Sequence, residues 1–188
     1  MVAVVLLHSI LGLRSAEAEI AGRFRASGHE VTTPDLYAGW RTDRFDAGFA
    51  KHDEIGDPEL LRRAQAAVAG LPAETVLAGV SMGGGFAAAL WTERPETRGV
   101  LLLHGPGELP AAPREGTPVQ VHMAEPEPFD DEAFLRGWIA EAERLPLALE
   151  VYRYPGAGHF FTDRTIADHD AAAAELLLGR SLAFLGRV

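Results

Sequence analysis

The sequence Gly79-Val80-Ser81-Met82-Gly83 lies between a short apolar run, Thr75-Val76-Leu77-Ala78, and a run of small residues, Gly84-Gly85-Phe86-Ala87-Ala88-Ala89-Leu90. In a nucleophile elbow, a serine occupies a tight turn between a strand and a helix. Glycines two residues to either side are needed because a Cβ there would collide with the neighbouring strand or helix. The strand-like run before the serine and the helix-like run after it therefore predict an elbow with Ser81 as the nucleophile.

Short runs rich in valine and leucine alternate with segments of helical period along the whole chain. This alternation is typical of repeated βαβ units, so we predict an α/β fold with a six-stranded, mostly parallel sheet and helices on both faces. Three runs, at residues 2–7, 75–78 and 100–103, lack polar alternation apart from Thr75 and are predicted at the sheet centre. The six predicted strands are Val2–Leu7, Glu30–Thr33, Thr75–Gly79, Gly99–His104, Val119–Met123 and Leu149–Tyr154.

Five helices are predicted from capping residues and helical period. Ser15 is expected to cap the first helix, which ends at Gly28, and Asp57 to cap the second, with Pro58 at its first position. The other three are expected from the elbow toward Arg94, from about Asp131 to Ala142, and from about Asp168 to Leu185. Residues 34–56 and 105–118 are predicted to be irregular and to follow strand ends, where an open α/β sheet forms its ligand crevice.

Composition limits the classes of function. A chain of 188 residues with 47% hydrophobic and 23% charged residues predicts a single folded domain over residues 1–188. A net charge of −10 argues against nucleic acid and anionic membrane surfaces as partners. The absence of cysteine excludes disulfides and thiolate metal sites, and a cytoplasmic location is the simplest expectation. No apolar run is long enough to predict a membrane span.

A serine nucleophile needs an imidazole to take its proton and a carboxylate to orient that imidazole. The segment Tyr154-Pro155-Gly156-Ala157-Gly158-His159 places a histidine on a glycine-flanked loop just after the last strand, so His159 is predicted as the base. His8, His104 and His122 lie at or near strand ends and are predicted to be packed and hydrogen-bonded. The remaining histidines, His29, His52 and His169, are predicted at the surface or in loops, and no metal site is predicted.

Four carboxylates follow the fifth predicted strand: Glu125, Glu127, Asp130 and Asp131. Asp130 precedes a helix-favouring run and is expected to cap that helix, with Asp131 in its first turn. Glu127 lies between two prolines that stiffen the loop and is the favoured acid. Asp130 and Asp131 remain alternatives, in that order.

The tetrahedral intermediate of acyl transfer needs two N–H donors directed at its oxyanion. Met82 is predicted to supply one, because its N–H lies at the start of the elbow helix. The loop after the first strand, residues 8–12, is predicted to supply the other from Ile10. An apolar lid is one hypothesis for the aromatic residues of the irregular segments, and ordinary packing is the alternative; these are Tyr37, Trp40, Phe45, Phe49, Phe129, Phe134 and Trp138.

Four segments together resemble the dienelactone hydrolase family over nearly the whole chain: Leu7-His8-Ser9-Ile10-Leu11-Gly12-Leu13, Thr33-Pro34-Asp35-Leu36-Tyr37, Gly79-Val80-Ser81-Met82-Gly83-Gly84 and Tyr154-Pro155-Gly156-Ala157-Gly158-His159-Phe160-Phe161. The resemblance implies an α/β-hydrolase with strand order 2-1-3-4-5-6 that acts on small esters or lactones without a cofactor. It also implies Ile10 and Met82 as oxyanion donors, and it places Glu127 where the family has its triad aspartate.

The sequence departs from the founding enzymes of that family at three further places. They use a cysteine at the elbow, activated with the help of a glutamate in the loop after the first strand, whereas this chain has Ser81 and Ser9. The two changes agree, because a serine that relies on His159 has no thiol for that glutamate to activate. The family's dienelactone binders have an arginine where this chain has Asp163, followed by Arg164. Dienelactone itself is therefore not the expected substrate.

Two hypotheses of function follow from the sequence. The first is a serine hydrolase that cleaves a small carboxylic ester, thioester or lactone through an acyl-serine intermediate, with Ser81, His159 and Glu127 as the triad. Arg41 and Arg44 are candidates to contact an anionic group of its substrate. The second is an α/β-hydrolase scaffold that binds a ligand or a partner with little turnover, because one fold hosts many functions.

Overall fold

Apolar runs without polar alternation form the centre of one six-stranded sheet in the computed structural model, which describes residues 1–188. The strand order is β2-β1-β3-β4-β5-β6, and every neighbouring pair is parallel. This confirms the predicted α/β sheet and its order. The strands are β1 Ala3–Leu7, β2 Glu30–Thr32, β3 Val76–Val80, β4 Val100–Leu103, β5 Thr117–Glu125 and β6 Leu147–Pro155.

The fifth and sixth strands are longer than predicted, since the β5 and β6 residues pair along nine positions, from Thr117 with Leu147 to Glu125 with Pro155. Prolines near both ends of this ladder and two charged residues in β6, Glu150 and Arg153, made its full extent hard to recognise in the sequence. The consequence is that β5 reaches far enough to place the following loop at the same edge as the elbow.

Six helices connect the strands, one more than predicted: α1 Ser15–Ala26, α2 Phe45–Ile55, α3 Asp57–Val68, α4 Met82–Glu93, α5 Glu132–Ala142 and α6 Ala171–Leu185. The prediction that residues 34–56 are irregular was therefore wrong for α2. Its polar composition and the internal Gly48 lower helix propensity, and contacts with the rest of the fold override that local preference. No helix has both the length and the apolar character that crossing a bilayer requires.

Several predicted caps are shifted by one or two residues. Ser15 is the first residue of α1 rather than its cap, and Gly56 rather than Asp57 precedes α3. The cap of α5 is Asp131, whose carboxylate accepts from the N–H of Phe134 at 2.7 Å, so the prediction of Asp130 as that cap was wrong. Helix α6 begins at Ala171, after its cap Asp170, rather than at about Asp168 as predicted.

Two apolar cores lie on opposite faces of the sheet, so the central strands are buried on both sides. In β1, Val4 and Leu6 face one core, whereas Val5 and Leu7 face the other. Helices α1 and α6 cover the first face, and α3, α4 and α5 cover the second. This arrangement explains why these strands are continuously apolar, and it leaves α2 at the carboxyl edge of the sheet.

Candidate active site

Ser81 lies in the turn between β3 and α4 with φ 51° and ψ −113°, a conformation that non-glycine residues rarely adopt. The flanking glycines make the turn sterically possible. A Cβ on Gly83 would lie 2.6 Å from the carbonyl oxygen of His8, and a Cβ on Gly79 would collide with the backbone of Gly83. The chain therefore has the geometry of a nucleophile elbow, which projects the Ser81 side chain at the carboxyl edge of the sheet.

One hydrogen-bonded chain joins three side chains from three separate loops at that edge. Ser81 Oγ lies 2.9 Å from Nε2 of His159, and Nδ1 of His159 lies 2.6 Å from Oε1 of Glu127. Ser81 follows β3, Glu127 follows β5 and His159 follows β6. Parallel strands bring these loops together because their carboxyl ends share one edge.

The hydrogen bonds fix the proton positions in the resting site. An ionised carboxylate can only accept, so Nδ1 of His159 donates to Glu127. Nε2 is then unprotonated in the neutral imidazole and accepts from the Ser81 hydroxyl. Glu127 Oε1 also accepts from the N–H of Phe129 at 3.3 Å, while Oε2 is buried without a partner. This arrangement can remove a proton from Ser81 as its oxygen attacks a carbonyl.

The other two candidate acids do not contact His159. Asp131 is occupied by the cap of α5. Asp130 is half-buried and lines a different depression on the surface, beside Trp138. Burial, reinforced by the nearby Glu127 carboxylate, raises the pKa of Asp130. Of the candidate acids, only Glu127 is brought to the imidazole.

Aromatic rings enclose the imidazole of His159, which is 4% exposed. Its ring centroid lies 4.6 Å from that of Phe129 and 4.5 Å from that of Phe160, both at steep interplanar angles. The loop that carries His159 is tied down by Asp168, whose carboxylate accepts from the N–H of Phe160 at 3.1 Å. This role of Asp168 was not predicted, because the contact between its carboxylate and the loop is visible only in the tertiary structure.

The two predicted oxyanion donors border the same crevice as Ser81. Met82 is the first residue of α4, where an N–H has no intrahelical acceptor. The N–H of Ile10, in the loop between β1 and α1, has no acceptor within the protein. Both donors are therefore free for a ligand oxygen at Ser81.

A buried network holds the loop that contains Ile10. The carboxylate of Glu17 accepts from the N–H groups of Ser9 at 3.1 Å and Arg14 at 3.0 Å. Nδ1 of His8 lies 2.7 Å from the carbonyl oxygen of Ser9, and its Nε2 accepts from the N–H of Leu36 at 3.0 Å. In the sequence, Glu17 is recognisable only as a residue within the first predicted helix. Its role in the loop depends on side-chain direction, which no local motif reveals.

The crevice beside Ser81 has a volume of about 510 Å³. Three of the seven aromatic residues proposed for a lid line it: Phe45 and Phe49 from α2, and Phe129 from the loop after β5. The others lie elsewhere: Tyr37, Trp40 and Trp138 pack with the second core, and Phe134 is exposed on another face. His52, predicted at the surface, also borders the crevice and lies 2.8 Å from Asp57.

None of the candidate cations lines the crevice. Arg44 is exposed and pairs with Asp46, Arg164 pairs with Glu19 at 2.8 Å, and Arg41 is exposed outside the crevice. Asp163 is buried and pairs with Arg14, so this position is part of an internal ion pair. The crevice wall is consequently apolar except for Ser81, His52 and Asp53.

His8, His104 and His122 are fully buried and hydrogen-bonded, as predicted. Nε2 of His104 lies 2.8 Å from Oγ1 of Thr162, and Nδ1 of His122 lies 2.7 Å from the hydroxyl of Tyr154. Burial lowers the pKa of all three imidazoles, to about 3 for His122, where Arg180 adds to the effect. No group of three or more His, Cys, Asp or Glu side chains is arranged to hold a metal ion.

A model of the dienelactone hydrolase family matches residues 1–188, the full span of the sheet and the site. The chain belongs to the dienelactone hydrolase family. This membership makes it an α/β-hydrolase of the ester-cleaving kind. No curated protein matches the sequence significantly.

Solved structures of this family and of related esterases share the fold. A dienelactone hydrolase-like promiscuous phosphotriesterase from metagenomic libraries has a TM-score of 0.79 at 18% identity, covering 100% of this chain and 86% of that chain. Dienelactone hydrolase from Anabaena variabilis has a TM-score of 0.67 at 16% identity, with coverages of 99% and 87%. Esterase PE8 has a TM-score of 0.63 at 18% identity, with coverages of 100% and 92%.

Proposed function

We propose that this member of the dienelactone hydrolase family is a serine hydrolase that cleaves a small carboxylic ester, thioester or lactone through an acyl-serine intermediate. The observation that carries the proposal is the continuous hydrogen-bond chain from Ser81 through His159 to Glu127. A serine on a strained elbow, an imidazole whose Nε2 accepts its proton and a buried carboxylate on Nδ1 are the parts that acyl transfer requires.

In the proposed acylation step, Ser81 Oγ attacks the substrate carbonyl and its proton passes to Nε2 of His159. The resulting oxyanion accepts from the N–H groups of Ile10 and Met82, and Glu127 stabilises the imidazolium through Nδ1. When the tetrahedral intermediate collapses, His159 gives its proton to the leaving alcohol or thiol. In a lactone, that leaving group stays attached to the acyl chain.

In the deacylation step, water replaces the alcohol. His159 takes a proton from the water as the hydroxide attacks the acyl carbonyl, and the same N–H groups hold the second oxyanion. Collapse of this intermediate returns the proton to Ser81 Oγ and releases the acid. No step needs a cofactor, because every proton and charge is handled by groups of this chain.

The experiment is intact-mass measurement after exposure to a fluorophosphonate, with wild-type protein compared with Ser81→Ala. The proposal expects one phosphonyl adduct on wild type and none on the variant, because only an activated serine displaces fluoride. An adduct on both proteins would place the reactive group elsewhere. A folded wild-type protein without an adduct would favour the second hypothesis, a ligand-binding module with little turnover.

A further inference from the structure

The crevice beside Ser81 presents a largely apolar wall without a lysine or an arginine. Six of its residues are apolar: Ile10, Phe45, Phe49, Met82, Phe129 and Phe160. Its polar groups are Ser81, His52 and the carboxylate of Asp53. A substrate anion entering here would lose water without a lysine or an arginine to pair with, and it would face the Asp53 carboxylate.

Aromatic residues form a continuous surface from the mouth of the crevice to the imidazole. Phe49 and Phe129 are 43% and 48% exposed, and their ring centroids lie 6.0 Å apart. Phe45 stacks on Phe160 at 5.5 Å, and Phe160 contacts His159. Exposed apolar surface of this extent beside a reactive group is typical of a site that binds apolar ligands.

We propose that this crevice selects uncharged substrates with an apolar acyl or alcohol group and rejects substrates that carry a carboxylate on that group. This inference rests on the proposed function, and it names the substrate class of the same site. The apolar group packs between Phe45, Phe49 and Phe129, which places its carbonyl at Ser81. A carboxylate at the same position costs binding free energy in both the ground state and the transition state.

The test compares two matched substrates: the 4-nitrophenyl half-ester of adipic acid, and the same compound with its free carboxylate methylated. Both release 4-nitrophenol, so the scissile bond and leaving group are constant. We expect kcat/KM for the half-ester to be lower by at least about tenfold, which corresponds to about 1.4 kcal/mol. Equal kcat/KM values with a normal fluorophosphonate adduct would overturn the selectivity alone. If folded wild-type protein forms no fluorophosphonate adduct, the proposed function is overturned as well.

Phe49→Arg is the variant that probes the crevice wall. A guanidinium at this position supplies the missing cation, so the preference for the methylated substrate should shrink at least threefold. Phe134→Arg is the matched control, because Phe134 is 51% exposed but lies outside the crevice. The same change of preference in both variants would show a general charge effect and overturn the assignment of the wall.

A second, independent observation concerns the peptide between Ser9 and Ile10. The carbonyl oxygen of Ser9 accepts from Nδ1 of His8 at 2.7 Å and from the N–H of Gly12 at 3.1 Å. His8 is therefore the Nδ1-protonated tautomer, since its Nε2 accepts from Leu36. In a trans peptide the N–H points opposite to the carbonyl, so fixing this carbonyl also fixes the N–H of Ile10.

The other side of the same loop is held by a buried carboxylate. Glu17 is 1% exposed, and its two oxygens accept from the N–H groups of Ser9 and Arg14. Burial of a carboxylate is unfavourable unless hydrogen bonds compensate it. A neutral side chain could cap α1 without the cost of burying a charge. We therefore attribute the buried charge of Glu17 to its hydrogen bond with the N–H of Ser9 in the loop.

We infer that Glu17 and His8 are positioning residues that hold the Ile10 N–H toward the oxyanion at Ser81. They act through the backbone of residues 8–14 and do not touch the substrate. Their loss lets the peptide rotate and weakens one of two oxyanion donors, which lowers kcat more than it alters KM.

The test uses Glu17→Gln. The amide keeps the shape of the carboxylate, but its NH2 group is a donor and cannot accept from one of the two backbone N–H groups. We expect kcat to fall at least tenfold while KM stays within about twofold. The affinity for a tetrahedral boronate adduct should fall with kcat/KM across the variants. Thr97→Val is the matched control: Thr97 is fully buried and hydrogen-bonded at the opposite edge of the sheet. Its variant should melt at a lower temperature with kcat unchanged.

His8→Asn provides a second measurement if Glu17→Gln does not fold. The amide of asparagine can replace the Nδ1 donor toward Ser9, whereas His8→Phe cannot. His8→Asn should therefore retain at least fivefold more kcat than His8→Phe. Equal kcat in these two variants, or a folded Glu17→Gln with wild-type kcat, would overturn the positioning role.

Discussion

Ser81 combines a hydroxyl that is hydrogen-bonded to an imidazole with a backbone conformation that costs free energy. Its positive φ persists because β3 and α4 are fixed by the cores on both faces, which leaves the turn no alternative. The same turn exposes the N–H of Met82 and directs Ser81 Oγ at His159. Strain at this residue therefore accompanies the geometry that the proposed chemistry needs.

Comparing Ser81→Gly with Ser81→Ala measures that strain. Both variants lack the hydroxyl and should be inactive, but only glycine adopts φ 51° without a steric penalty. We expect Ser81→Gly to be more stable than Ser81→Ala by about 1 kcal/mol in urea unfolding. Equal free energies of unfolding would mean that the turn is not strained.

The two leading candidate acids, Glu127 and Asp130, differ in one contact: only Glu127 is hydrogen-bonded to His159. We expect Glu127→Gln to lower kcat by about a thousandfold, because the amide no longer stabilises the imidazolium of His159. Asp130→Asn removes a nearby carboxylate that makes no contact with the imidazole, so kcat should change little. Ester hydrolysis by the two purified variants decides between them, and the reverse ranking would reassign the acid to Asp130.

At the scale of elements, α2 contributes four of the nine residues that line the crevice, more than any other helix or loop. Gly48 lets this helix approach the loop after β1, since a Cβ there would lie 2.8 Å from the carbonyl oxygen of Ile10. Phe45 and Phe49, four residues apart, project from one face of the helix toward Ser81. The position of α2 therefore links the aromatic wall to the loop that carries the Ile10 N–H.

Gly48→Ala tests this close approach. The added methyl forces α2 and the Ile10 backbone apart, so we expect a loss of about 1–3 kcal/mol of stability and a lower kcat. Gly22→Ala in α1 is the control, because a Cβ there meets nothing within 4 Å. That variant should gain about 0.5–1 kcal/mol with unchanged activity. Equal stability changes would show that Gly48 is not in a tight contact.

At the scale of the whole molecule, three neutral histidines are buried within the fold. Burial lowers the pKa of His8, His104 and His122, so the folded protein takes up their protons at lower pH than the unfolded chain. Their contribution to stability is complete above the unfolded pKa of about 6.5 and is lost as pH falls below it. The molecule should therefore become less stable in mild acid.

For His122, the loss of stability should extend from about pH 6.5, the unfolded pKa, down to its folded pKa of about 3. Within that range it should contribute a slope of up to about 1.4 kcal/mol per pH unit. His122→Gln should remove that part of the slope, which urea unfolding at a series of pH values measures. Parallel curves for the variant and the wild type would contradict a depressed pKa at His122.

The sequence by itself determined the features that neighbouring residues encode: the alternation of apolar runs with helical segments and the elbow around Ser81. It also restricted the candidate triad acids to the loop after the fifth strand. A strand buried on both faces must be continuously apolar, and a tight turn must have glycine where backbones meet, so both leave local patterns.

Only the tertiary structure decided which carboxylate reaches His159, that α2 forms over the crevice, and that Glu17 and Asp168 hold the two loops beside Ser81. Glu127 and His159 are separated by 32 positions and Ser81 and His159 by 78, and their approach depends on side-chain direction as well as chain order. Such contacts are set by the packing of distant segments, which overrides local propensity and leaves no signal in adjacent residues.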